Sequence, residues 1–157
     1  MNPVVYVETT IPSYLAAEPS RDVVIAGRQR VTHEWWQSAF DRFQLFTSQA
    51  VIAEIQMGDP KAAAKRLQIM SRLPVLALTD EIGRLASMYQ VELGLPGRLA
   101  DTQHVAFAVH HEMDYLVTWN CAHIANGAII RRLMKTNERL GLFTPLIVTP
   151  DELVEPA

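Results

Sequence analysis

Three carboxylates and one amide stand at positions where side chains can meet a metal ion. Glu8 and Asn120 each close a run of apolar residues, and Glu54 and Asp101 have mainly apolar neighbours within predicted helices. A carboxylate on the apolar side of a helix is costly unless it is paired, hydrogen-bonded or bound to a metal. Several carboxylates in one cleft repel one another, and a hard divalent cation offsets that repulsion. Oxygen ligands alone favour Mg²⁺ or Mn²⁺ over Zn²⁺.

The two apolar runs are typical of buried parallel strands. Residues 4–7 and 115–118 are rich in apolar and β-branched side chains and break into polar groups at their C-terminal ends. In open parallel sheets the ligand crevice lies just outside those ends. We therefore expect Glu8 and Asn120 to face one cleft.

The rest of the chain alternates between strand and helix patterns. This alternation indicates βαβ units and hence a three-layer α/β/α domain with a central, mainly parallel sheet. Ser20 and Ser48 are predicted helix N-caps. Further strands are predicted at about 44–47, 74–78 and 146–149, a short turn or helix at 11–17, and helices at about 21–43, 48–57, 61–71, 79–93, 98–111 and 128–140.

Size and composition indicate one globular domain. The chain has 157 residues, and we expect a single domain at 1–150 followed by a frayed tail at 151–157. We expect neither a membrane span, because no apolar stretch approaches ~20 residues, nor an export signal. The single cysteine, Cys121, excludes an internal disulfide and suits a reducing, cytoplasmic location. The net charge of −3 disfavours a nucleic-acid coat protein but not an enzyme that acts on nucleic acid.

The order and context of the four candidate ligands resemble the PIN domain, in particular the VapC-type toxins of bacterial toxin–antitoxin pairs. The family opens with an apolar strand ending in an acid and then Thr or Ser, which corresponds to residues 6–9 here. Its second acid lies on a helix after the second strand, its third precedes a small-residue helix, and its fourth follows a strand ending in Thr. These three features correspond to residues 48–55, 100–106 and 118–120.

The resemblance implies a divalent-metal-dependent endoribonuclease. Glu8, Glu54, Asp101 and Asn120 would be its metal ligands and catalytic residues, with Mg²⁺ or Mn²⁺ as cofactor. In such a site the cation polarises the scissile phosphate and lowers the pKa of the attacking water. The resemblance also implies an RNA substrate, a cognate antitoxin that neutralises the enzyme, and a homodimer.

Three further residues are expected around the substrate. Thr9 or Thr118 would orient a carboxylate or a water through its hydroxyl, and His123 would contact the second metal position, the phosphate or the leaving group. A subset of PIN-like proteins carries a Trp-Asn stretch followed by His, which suggests that Asn120 and His123 form a variant site. His104, one helical turn after Asp101, is expected to be a satisfied, partly buried histidine and not a ligand.

Two departures from the family pattern motivate an alternative. The first acid is Glu8 where the family usually has Asp, and Asn120 replaces the usual fourth Asp, so the site has three formal negative charges. We expect one metal bound firmly and a second weakly at best. The alternative is a catalytically weak or inactive PIN-like domain that binds RNA or a protein partner. A phosphatase or other hydrolase is disfavoured because the chain lacks a Gly-rich phosphate loop and a Gly-x-Ser-x-Gly elbow.

Overall fold

A computed structural model describes residues 1–155 and shows a five-stranded sheet flanked by helices. Pro156 and Ala157 lie outside the described residues. The elements in chain order are β1 (Val4–Val7), α1 (Thr10–Ala16), α2 (Val23–Arg42), β2 (Gln44–Ser48), α3 (Gln49–Gln56), α4 (Pro60–Met70), β3 (Val75–Leu76), α5 (Asp80–Glu92), α6 (Leu99–His110), β4 (Tyr115–Val117), α7 (Gly127–Leu140) and β5 (Leu146–Val148), followed by a 3-10 helix at Pro150–Leu153.

The sheet has the strand order β3-β2-β1-β4-β5, and every described strand pair is parallel. Val5 of β1 stands opposite Leu45 of β2 on one side and Tyr115 of β4 on the other. The chain therefore adds β2 and β3 in turn on one side of β1, and then returns to place β4 on the other side of β1. Such a reversal opens a crevice at the carboxyl ends of the two central strands. The predicted α/β fold with a mainly parallel sheet is confirmed.

The central strands are held in place by a buried core on both sides. Residues of β1 and β4 such as Tyr6, Val7 and Leu116 have no exposed surface, and they pack with the buried side chains of Trp35 on α2 and Phe107 on α6. Because strands buried on both faces lack a polar side, they read in sequence as short continuous apolar runs. This packing fixes where β1 and β4 end.

The helix N-caps agree only in part with the sequence analysis. Ser48 caps α3 as predicted, since its hydroxyl accepts from Val51 N at 3.2 Å. The prediction of Ser20 for α2 is wrong: the cap is Asp22, whose carboxylate accepts from Val24 N at 2.9 Å. Ser20 lies two residues before this cap and accepts from the Asp22 amide at 3.1 Å. A carboxylate serves this position better because it also favours the positive end of the helix dipole.

The segment after β5 forms regular structure where a frayed tail was expected. Pro150–Leu153 forms a 3-10 helix whose Thr149 cap exchanges hydrogen bonds with Glu152, and Leu153 is buried in a helix that packs against α2. The expectation of fraying is therefore wrong for these residues, because Leu153 adds apolar area to the core. None of the helices within residues 1–155 combines the length and the apolar character that crossing a membrane requires.

Candidate metal centre

Glu8 leaves the end of β1 and is 3% exposed. Its Oε1 accepts three hydrogen bonds, from Thr10 N at 3.0 Å, Thr10 Oγ1 at 2.5 Å and Thr118 Oγ1 at 2.6 Å. Within the described chain all of its hydrogen bonds end on that oxygen, so Oε2 has no protein donor. Hydrogen bonds therefore hold the carboxylate through Oε1 and leave Oε2 free of protein donors.

Glu54 on α3 faces the same cleft and is half-buried. Thr9 Oγ1 donates to its Oε1 at 2.7 Å, and His104 Nε2 contacts the same oxygen. Burial alone would raise the pKa of Glu54, but the hydrogen bond and charge of His104, together with the Thr9 hydroxyl, outweigh burial and lower it. Among residues 1–155 no donor reaches Glu54 Oε2, which repeats the arrangement at Glu8.

His104 on α6 is fully buried between these carboxylates and the core. Its Nδ1 lies 2.7 Å from the Tyr6 hydroxyl, which in turn lies 2.7 Å from Ser48 Oγ. Burial favours the neutral imidazole, yet the bond to Glu54 and the negative charge of Glu8 prevail and raise the pKa of His104. The ligating atoms of Glu8, Glu54 and His104 lie within 4.8 Å of one another.

The expectation for His104 was therefore only partly right. Both of its ring nitrogens have partners, as expected, but it is completely buried and belongs to the carboxylate cluster. The available sequence signal was its position three residues after Asp101, which places both side chains on one side of α6.

Asp101 and Asn120 form a second pair beside this cluster. Asn120 Nδ2 donates to Asp101 Oδ1 at 3.0 Å, and His123 Nδ1 lies 3.5 Å from Asp101 Oδ2. Burial raises the pKa of Asp101 and outweighs the opposite influence of His123. The His123 amide also donates to Asn120 Oδ1 at 3.0 Å, so both polar atoms of the Asn120 side chain are used.

A hydroxyl joins the pair to the cluster. Thr118 Oγ1 donates to Glu8 and accepts from Asn120 N at 2.9 Å, and the Thr118 side chain is fully buried. Thr118 therefore holds Glu8 from a buried position, whereas His123 keeps 30% of its side chain exposed. All seven residues singled out from the sequence thus lie around one region, either in the cluster, in the pair or in hydrogen bonds to them.

An aromatic and cationic group next to the site was missed as a functional unit. The Arg28 guanidinium lies 5.0 Å from the centroid of the Trp119 ring, and the ring of Tyr14 lies 5.9 Å from the same indole. The neighbouring Tyr14 side chain raises the pKa of Arg28. Trp119 is anchored through its ring nitrogen to Thr32 Oγ1 at 2.8 Å. In sequence Arg28 is one of several modest basic positions, and only the fold brings it to the strand end that carries Asn120.

The donor set fits a divalent cation. Two carboxylates each keep an oxygen that no described protein group engages, and an imidazole nitrogen lies beside them. Carboxylate oxygens suit Mg²⁺ and Mn²⁺, while imidazole adds affinity for transition metals. Within residues 1–155 the group whose atoms could hold one ion consists of Glu8, Glu54 and His104, and Asp101 lies outside it in the neighbouring pair.

The family model of the PIN domain matches residues 22–120, which is more than half of the chain. The chain belongs to the PIN domain family. The family predicted from the sequence is thereby confirmed. The PIN match begins after Glu8 and so does not include the first carboxylate of the cluster. No curated protein matches the sequence.

Two solved structures extend the similarity of this PIN domain over nearly the whole chain. VapBC2 from Rickettsia felis, bound to a DNA fragment from their promoter, contains a chain with 15% identity and a TM-score of 0.60, covering 93% of this chain and 98% of that one. FitAB bound to the IR36 DNA fragment contains a chain with 12% identity and a TM-score of 0.61, covering 98% and 100%. At these identities the likeness establishes a shared fold.

Proposed function

We propose that this PIN domain is a divalent-metal-dependent endoribonuclease of the VapC toxin type, which cleaves RNA phosphodiester bonds. The observation that carries the proposal is the convergence of Glu8 and Glu54, each with one oxygen free of protein donors, at the crevice between β1 and β4. Family membership supports the same chemistry, since nuclease activity with divalent metals is typical of PIN domains.

The chain's own residues would hold the cation and keep its ligands in one orientation. Glu8, Glu54 and Asp101 would hold Mg²⁺ or Mn²⁺. When bound, this cation supplies Lewis-acid chemistry, polarising the scissile phosphate and lowering the pKa of the attacking water. Thr118 and Thr10 keep Glu8 in one orientation, and Thr9 does the same for Glu54. Such fixed orientation matters because catalytic groups that move by even 1 Å lose much of their effect.

Asn120 and His123 would act on the substrate side of the site. The Asn120 amide neutralises part of the charge on Asp101 by donating to Oδ1, which a carboxylate at position 120 could not do. The exposed part of His123 is available to the phosphate or the leaving group. This arrangement supports the interpretation of Asn120 and His123 as a variant site.

The group of Arg28, Trp119 and Tyr14 supports a single-stranded RNA substrate. Among residues 1–155 no carboxylate lies within salt-bridge distance of Arg28, so its charge is available to a phosphate. Aromatic rings and guanidinium groups beside a basic position are typical of proteins that bind single strands. A local cation of this kind reconciles a net charge of −3 with a nucleic-acid substrate.

The test is cleavage of a mixed single-stranded RNA pool with Mn²⁺, with Mg²⁺ and with chelator. We expect slow cleavage by the wild type with Mn²⁺, weaker cleavage with Mg²⁺, and none with chelator. Glu54→Gln should be inactive, while Glu34→Gln, a change at an exposed glutamate of α2, should retain wild-type activity. Cleavage that survives chelator or Glu54→Gln contradicts the proposal.

The departures at Glu8 and Asn120 keep a non-catalytic binding function as the second candidate. It predicts that no variant cuts RNA with either metal, while the wild type still binds RNA or a protein partner tightly. Binding measured by fluorescence anisotropy with the same RNA pool separates the two functions, because the endoribonuclease must show both binding and cleavage.

We also infer that the protein acts in the cytoplasm as a homodimer that a cognate antitoxin neutralises. The fold shared with chains of the VapBC2 and FitAB assemblies supports a toxin–antitoxin setting. Co-expression with the product of the neighbouring open reading frame should yield a stable complex in which RNA cleavage is lost. Light scattering of the purified protein should give twice the mass of one chain.

A further inference from the structure

His104 is fully buried and yet belongs to the group of side chains that could hold a metal ion. Its Nε2 contacts Glu54 Oε1, and its ligating atom lies within 4.8 Å of those of Glu8 and Glu54. The contact with Glu54 gives this nitrogen a partner, and the second acid, Glu8, lies close enough for the imidazole and both carboxylates to share one ion. The question is which state of the ring the surroundings support.

The hydroxyls of Tyr6 and Ser48 control the other ring nitrogen. Tyr6 Oη lies 2.7 Å from both His104 Nδ1 and Ser48 Oγ, and Ser48 Oγ accepts from Val51 N at 3.2 Å. When Tyr6 donates to Ser48, its oxygen accepts the Nδ1 proton of His104. Without a cation Nε2 carries a proton, because it contacts the acceptor Glu54 Oε1. When a cation takes the place of that proton, this tautomer leaves the Nε2 lone pair for the metal. Metal-binding histidines are commonly held in this way by a partner on the second nitrogen.

We propose that His104 is a metal ligand through Nε2, together with Glu8 and Glu54, and that the Tyr6–Ser48 hydroxyl pair selects the tautomer that allows it. This inference rests on the proposed metal-dependent function and deepens it. The site would then be a mixed imidazole and carboxylate site. Imidazole donors favour transition metals over Mg²⁺, so His104 would set a preference for Mn²⁺.

The experiment is electron spin echo envelope modulation of the Mn²⁺-loaded protein. The wild type should show the coupling of a directly bound imidazole ¹⁴N, and labelling histidine with ¹⁵N should change its pattern. His104→Gln should remove the coupling. His123→Gln is the matched control, because His123 lies beside Asp101 in the neighbouring pair, and this variant should retain the coupling.

A second variant tests the hydroxyl pair without removing the ligand. Tyr6→Phe should weaken Mn²⁺ binding in calorimetry by roughly 10- to 100-fold, the usual effect of losing such a partner. His104→Gln should lower the ratio of Mn²⁺ to Mg²⁺ affinity by a similar factor. Circular dichroism of each variant checks that it is folded, and the labelled wild type gives the decisive spectrum even if a variant does not fold.

The outcomes separate this inference from the function on which it rests. Two results would overturn the role of His104 but not the carboxylate site. In the first, Mn²⁺ binds the wild type without nitrogen coupling. In the second, the coupling disappears in His123→Gln instead of His104→Gln. A wild type that binds no Mn²⁺ overturns both proposals.

Discussion

Replacing Thr118 by valine tests whether the hydroxyls around Glu8 hold the site together. Valine has nearly the same shape, but it removes the donor to Glu8 Oε1 at 2.6 Å and the acceptor for Asn120 N at 2.9 Å at a fully buried position. A hydrogen bond to a charged group contributes about 1.5–3 kcal/mol, and a buried amide left without a partner costs ~1 kcal/mol or more. The metal-free protein should lose roughly 2–4 kcal/mol of unfolding free energy, which corresponds to a drop in Tm of roughly 5–15 °C.

Urea unfolding in the presence of chelator measures this loss as a lower midpoint at unchanged slope. Thr102→Val is the control, because Thr102 is also fully buried but donates only to Leu99 O at 3.2 Å within its own helix. Thr118→Ser keeps both polar contacts and should lose about 1 kcal/mol for the missing methyl group. If Thr118→Val is no less stable than Thr102→Val, the described network does not hold Glu8.

Three further predictions concern the metal and the RNA. Asp101→Asn should leave the metal-free protein as stable as the wild type or more so, because burial disfavours the ionised carboxylate. The same change should reduce the Tm gain from Mn²⁺. A large loss of Tm without metal would indicate a structural role. Asn120→Asp should raise Mn²⁺ affinity in calorimetry by adding a charge, and unchanged or weaker binding would refute this. Arg28→Ala should reduce the salt dependence of RNA binding by a slope of ~0.7, the value for one single-strand phosphate contact. Arg72→Ala, whose guanidinium lies over Phe40 at 3.9 Å, should leave that slope unchanged.

The positions of Glu8 and Asn120 could be predicted because they depend on where buried strands end. Apolar runs buried on both faces are visible in sequence, and the parallel arrangement follows from the alternation of strands with helices. Ser48 as the cap of α3 was predictable for a similar reason, since capping is decided by neighbouring residues. Local sequence patterns were thus sufficient to predict the family, the fold and the region of the site.

The role of His104 could not be read in the same way. Its spacing from Asp101 indicates a shared face of α6, but its partners Tyr6 and Glu54 are 98 and 50 residues away in the chain. The three hydrogen bonds to Glu8 Oε1 likewise combine Thr10 with Thr118, 110 residues from Glu8. Contacts of this range depend on packing of the whole domain, which the hydrophobic pattern of a single sequence does not specify.

The proposed function requires Glu8, Glu54 and Asp101 to hold a divalent cation. The most direct measurement is an anomalous difference map from a crystal of the protein soaked in Mn²⁺. We expect a peak between the carboxylates of Glu8 and Glu54, on the side of their Oε2 atoms and within reach of Asp101. If the map has no peak there at millimolar Mn²⁺, or if its strongest peak lies away from these carboxylates, these residues do not hold the cation.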